Sequence, residues 1–160
     1  MLRYLDRFVH TILEGAKWLA LPVVLLLFLQ WPLRSVAGPI SREANDLGQW
    51  LFALYIAIAI TAATRANTHL AADMLARRYP LGWRRLLARL GAALGLIPWA
   101  LFVLITSKSI VISSVLALEL FPDTFNPGYF IIKLALWLLA LLILCEGILE
   151  LFAPMRSGDA

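Results

Sequence analysis

The sequence predicts an all-α integral membrane protein: a four-transmembrane-helix bundle with a short cytoplasmic-side amphipathic helix between spans two and three, and both termini cytoplasmic. Three observations predict it. Of 160 residues, 62% are apolar and only 15% charged, where soluble domains carry about 45–50% and 25%. The apolar residues gather in blocks free of charge, at 18–33, 47–64, 90–107 and 134–145. With the fourth extended by 128–132 before it and 147–152 after it, each approaches the roughly 20 helical residues that cross a bilayer core of about 30 Å. Finally, lysines and arginines fall unevenly between the blocks, as membrane orientation demands.

The first span is expected over about 12–35, with Lys17 snorkelling from its inner end and Trp18 and Trp31 near its ends. Charges throughout residues 1–17, and no clear small-residue cleavage site after them, read as a retained span rather than a removed signal peptide. A short turn around Pro39 follows, with Ser41 the candidate N-cap of a second span over about 44–65. Next, Leu70, Ala71, Met74 and Leu75 recur at helical spacing, with Arg77 and Arg78 on other faces. That pattern predicts an interfacial helix over about 68–79, ended by Pro80. The third span is expected over about 86–112, an outer loop over 120–126, and the fourth span over about 128–152. Pro22, Pro32 and Pro98 lie in or at the ends of spans, where they can kink them. The whole chain reads as a single membrane domain.

Orientation follows from the basic residues. Arg3, Arg7 and Lys17, the six arginines between spans two and three, and Arg156 stand on one side. Only Arg34, Arg42, Lys108 and Lys133 stand on the other. The positive-inside rule makes the first side cytoplasmic. The net charge of +4 is thereby assigned to membrane orientation and phospholipid contact, not to nucleic acid. A single cysteine excludes a disulfide oxidase or a zinc cluster. The common nucleotide, hydrolase and zinc-protease signatures are also missing.

Several polar residues are candidates for chemistry. Arg65, His69 and Asp73 sit at i, i+4 and i+8, along one face of a continuous helix. They read as a structural network at the cytoplasmic face, with a solvated face and a proton relay as the alternatives. His10 and His69, the only histidines, are conceivable haem ligands, but nothing else supports haem. Glu14 lies three residues from Lys17 and reads as an interfacial ion pair; its alternative is the buried carboxylate of a small exporter. Glu146 and Glu150 form a carboxylate face near the inner end of span four, expected to pair with inner-side arginines. Lys108 lies about 27 Å beyond Leu90 at 1.5 Å per residue. It reads as an outer anchor or as part of a long third helix facing another protein. Gly91 and Gly95 form a GxxxG suited to close packing within the bundle. No polar cluster falls at mid-depth, where a transporter usually holds its substrate. The chain is therefore expected not to carry substrate itself.

Span two has a polar start at Glu43 and Asn45, then Trp50, Leu51 and Phe52. Arg65, His69 with Asp73, and a leucine- and arginine-rich stretch ending at Pro80 follow. Pro127, Gly128, Tyr129, Phe130 and Lys133 mark the entry to span four. In these features the chain, above all residues 43–80, resembles the small membrane subunit of TRAP transporters, the DctQ-type family. The resemblance implies a subunit that is not an enzyme and binds no cofactor. Its partners would be a large membrane subunit and a periplasmic solute-binding protein. Na+ would be bound by the large subunit, which moves an organic anion by an elevator motion in a bacterial inner membrane. The small subunit would stiffen that subunit's static scaffold. Arg65, His69 and Asp73 would then fix the inner helix, and Arg77, Arg78, Arg84, Arg85 and Arg89 would meet lipid headgroups. Glu43, Asp46, Glu119, Asp123 and Asn126 become candidate partner contacts on the outer side. The alternatives are the small subunit of a tripartite tricarboxylate transporter, or a self-contained exporter using Glu14 or Lys108.

Overall fold

Among the described residues helices make up the fold, and four stretches are long and apolar enough to cross a membrane: Tyr4–Leu29, Arg42–Arg65, Leu86–Thr106 and Tyr129–Phe152. The computed structural model describes residues 2–36, 38–66 and 80–152. Helix α1 (Leu2–Val36) runs through Pro22 and Pro32 without ending at either. Helix α2 (Gly38–Arg65) follows almost directly. Its start at Gly38 places Ser41 inside the helix and not at the N-cap. Pro39 explains the earlier start, because its fixed φ suits the first turn and its missing N–H is not needed there. The expected interfacial helix at 68–79 lies outside the described residues.

The third crossing is built in pieces: α3 (Leu81–Gly91), a π-helical turn at Ala92–Leu96, and α4 (Ile97–Thr106). The Ile97 amide donates to the Ala92 carbonyl, one residue further back than in an α-helix. Pro98 accounts for the wide turn, since its ring would otherwise meet the carbonyl four residues earlier. This crossing does not run unbroken to residue 112. It stops at Thr106, and α5 (Lys108–Leu116) begins after Ser107. Thr106 Oγ1 donates to the Phe102 carbonyl at 2.7 Å and Ser107 Oγ to the Val103 carbonyl at 2.6 Å. Two successive back-bonds of this kind bend a helix. Trp137 Nε1 then pins the break by donating to Ser107 Oγ at 2.9 Å. The last helix is α6 (Tyr129–Phe152), so Trp137 holds the third crossing to the fourth.

Packing runs α1 on α2, α2 on α6, and α6 on the third crossing, with α1 also touching α6. Small residues fill these contacts: Ala16, Ala57, Ala92, Ala100, Ala135 and Ala140 are buried. Large apolar side chains point outward, with Leu94 76% and Ile105 71% exposed. A soluble protein would invert this. In lipid the tails satisfy large apolar groups, and helices gain most by bringing backbones together across small residues. Ala16, Ile58 and Leu142 form a buried cluster where α1, α2 and α6 meet. The buried Thr61 hydroxyl returns to its own helix, donating to the Ala57 carbonyl at 3.0 Å.

The small-residue rule also locates a close approach between helices at Gly147 on α6, where a Cβ would lie 2.8 Å from Ile97 Cγ1 and 3.6 Å from Leu96 Cβ. Gly91 and Gly95 are exposed, and a Cβ at either would have nothing among the described residues within 4 Å.

Candidate functional site: two polar layers bounding the bundle

One layer is centred on Arg65, the last residue of α2. Its Nη1 donates to Glu146 Oε1 on α6 at 2.9 Å, and its Nη2 forms an ion pair with Asp6 Oδ1 on α1. One guanidinium thus ties three helices, which its planar fork of donors permits and an ammonium would do less well. The Glu146 side chain is 5% exposed and that of Arg65 18%, while Asp6 is half-exposed. Glu146 thus meets an arginine as expected. Of the predicted network with Arg65, His69 and Asp73 lie outside the described residues, as do Arg77 and Arg78. Asp6 is not legible in the sequence, because its pairing spans 59 residues and no local spacing encodes it.

The second layer closes the opposite end. After α5 the chain turns through Leu118 and loops back, with Leu120 bridging Pro127 and the Glu119 carbonyl accepting from the Tyr129 amide at 3.2 Å. Leu118 and Phe125 both take positive φ, an uncommon conformation for such side chains. Gly128, at φ +144°, meets the same demand without strain and lies against Trp50 and Phe121. Phe121 is buried and stacks edge-on against Tyr129, with ring centroids 5.5 Å apart. Two side-chain ties fix the loop. Thr124 donates its hydroxyl to Asp46 on α2, which is 7% exposed. Ser114 and Lys133 both donate to Glu119 Oε2. Lys133 Nζ also stands 5.4 Å from the Tyr129 ring centroid.

The outer candidates consequently differ in availability. Asp46 and Glu119 are engaged within the chain, and Asn126 is half-buried with its backbone N–H directed to Thr124 Oγ1 at 3.4 Å. Glu43 and Asp123 are exposed. On the other side of the molecule Arg84, Arg85 and Arg89 lie on α3, with Arg89 exposed. Lys108 opens α5, exposed at the mouth of a shallow groove with Ile105, Ile112 and Leu116.

Separation of the layers matches a bilayer. Asp46 and Arg65 are 19 residues apart on one helix, or about 28 Å at 1.5 Å per residue. The hydrocarbon core is about 30 Å thick. Lys133 and Glu146 are 13 residues apart on α6, about 20 Å, and Lys133 is long enough to reach outward from there.

Acid should loosen the layer at the 118–128 loop. The hydrogen bond from Lys133, then that from Ser114, holds the Glu119 carboxyl below the usual carboxylate range. A carboxylate whose folded pKa is depressed stabilises fully above its ordinary pKa of about 4.3 and loses that contribution as pH falls through the folded value. Amide hydrogen exchange across 118–128 is therefore expected to stay slow at pH 5 and to quicken below about pH 4. Glu119→Gln should give the quicker exchange at neutral pH.

Four apolar crossings, small-residue helix contacts and polar layers one bilayer apart define a multi-pass membrane protein. The sequence profile of the tripartite ATP-independent periplasmic transporters, DctQ component, matches residues 23–156. No curated protein and no solved structure gives a significant match. The chain belongs to the DctQ family and is the small membrane component of a TRAP transporter. Membership implies a tripartite system, with a large membrane subunit and a periplasmic binding protein as the other two parts.

Proposed function

We propose that this chain is the static, non-catalytic scaffold for the large subunit of a sodium-coupled TRAP system that takes up an organic anion across a bacterial inner membrane. The observation that supports it best is the closure of the bundle at both ends. Arg65 locks α1, α2 and α6 together, and the Glu119 and Asp46 ties lock the loop and α2 at the other end. An element so fixed suits the part of an elevator that stays still. The positive-inside rule puts the Arg65 layer and both termini in the cytoplasm. There His69 and Asp73 would anchor the 68–79 helix beside Arg65. Arg77, Arg78, Arg84, Arg85 and Arg89 would meet inner-leaflet phosphates. At the outer face the exposed Glu43 and Asp123 are the acids left to meet the large subunit or the binding protein. Na+ and substrate belong to the large subunit.

Reconstitution tests this reading. Proteoliposomes holding the large subunit, supplied with the binding protein and a panel of labelled carboxylates, are assayed with and without this chain. Uptake is expected to need both the chain and an inward Na+ gradient. Equal uptake without the chain would contradict the scaffold.

A further inference from the structure

Glu14 and Lys17 form an ion pair, with Lys17 Nζ 2.6 Å from Oε1 and 2.8 Å from Oε2 of Glu14. Both side chains are well exposed, at 53% and 69%. A surface pair of this kind is ordinary in water. Its depth is what sets it apart. Asp6 belongs to the Arg65 layer, and Glu14 and Lys17 stand 8 and 11 residues further along α1. That is about 12 and 16 Å toward the outer layer at 1.5 Å per residue. The packing agrees: Ala16, between them in sequence, is buried against Ile58 and Leu142. Ile58 lies seven residues inward from Arg65, and Leu142 four residues inward from Glu146. The pair therefore sits between the two polar layers, on a face where Gly15 has nothing among the described residues within 4 Å of a built Cβ.

Charged side chains between the polar boundaries of a membrane protein are costly against lipid and are found facing protein or water-filled cavities. His10 and Thr11 continue the exposed polar stripe toward the Arg65 layer, one turn below Glu14. Beyond Trp18 the outward face becomes apolar, with Leu21, Val24, Leu25 and Phe28 exposed. The polar part is thus local. The family match begins at residue 23, so it does not account for this stripe.

From this register we infer that the α1 face carrying His10, Thr11, Glu14 and Lys17 is the docking face for a transmembrane helix of the large subunit that presents polar groups to the ion pair. A polar complement suits the pair, because both charges keep unused hydrogen-bonding capacity. Glu14 can accept more bonds than Lys17 supplies, and the ammonium has a third donor. The occupant follows from the depth and from the family: a membrane-embedded partner is needed, and the TRAP assembly contains one. The inference rests on the scaffold reading and adds which face makes the contact.

A benzophenone amino acid placed at Gly15 or at Trp18, in the chain co-expressed with its large subunit, tests it. A third probe at Ile105 on α4 serves as the comparison. Illumination in the intact membrane is expected to crosslink positions 15 and 18 to the large subunit at least threefold more than position 105. Glu14→Leu with Lys17→Leu should cut the large subunit recovered with the tagged chain about threefold, the scale of an interhelical polar contact in a membrane. Crosslinks from 15 and 18 only to lipid, or only to a second copy of this chain, would overturn the assignment. Recovery of the large subunit with the unsubstituted chain separates the two failures. If it is recovered and the probes miss it, this face is wrong; if it is not recovered, the scaffold reading has failed.

Discussion

Replacing Arg65 with leucine is expected to be the most damaging single change in the described chain. Glu146 would keep its buried position on α6 without the guanidinium that neutralises it, and Asp6 would lose the same partner. Removing one member of a buried ion pair costs about 3–5 kcal/mol. The 18% exposure of the Arg65 side chain favours the lower end. Thermal unfolding of the detergent-solubilised protein should show a clear fall in midpoint. Arg65→Lys should recover part of the loss, because one ammonium serves two divergent carboxylates less well. Arg65→Leu combined with Glu146→Leu should be more stable than Arg65→Leu alone, since an apolar replacement of a whole buried pair is often near neutral. If the double variant were the worse of the two, the latch would not be the source of the loss.

The second large effect belongs to Gly147. An alanine there puts its Cβ 2.8 Å from Ile97 Cγ1, and relief requires the Ile97 side chain to leave its place or α6 and the third crossing to move apart. Overpacking of this kind costs about 1–3 kcal/mol, and Gly147→Leu should exceed the alanine value. Gly91→Ala and Gly95→Ala provide the contrast. Both sites are open among the described residues, and alanine favours helix over glycine by about 1 kcal/mol. Those two variants should unfold no earlier than the parent, whereas Gly147→Ala should unfold earlier in the same assay.

These contrasts show which parts of the fold were legible in sequence. The crossings were, because apolar blocks without charge have few other folded solutions. The loop at 120–126 was, because Pro122, Asp123, Asn126 and Pro127 mark it. Packing was not. Gly91 and Gly95 form a recognisable motif but face outward, while Gly147 stands alone in a leucine-rich stretch and makes the tight contact. A motif gives the spacing of small residues along a helix, and only tertiary structure says which face meets a neighbour. The break at Ser107 was equally hidden, since a serine and threonine pair bends a helix only when both hydroxyls turn back on the backbone. Of the candidate sites, Arg65 and Glu146 were singled out separately, on helices two and four. Their union with Asp6 is set by three-helix packing, which no spacing within one helix can state.

A scaffold subunit must be a fixed part of a larger membrane assembly. Co-purification tests that most directly. The tagged chain is expressed with its neighbouring genes and extracted in mild detergent, and the recovered proteins are identified and weighed against it. A large polytopic subunit in roughly equimolar amount is the result expected, with Arg65→Leu lowering its yield. A stable homo-oligomer of this chain, recovered without any such partner, would contradict the account.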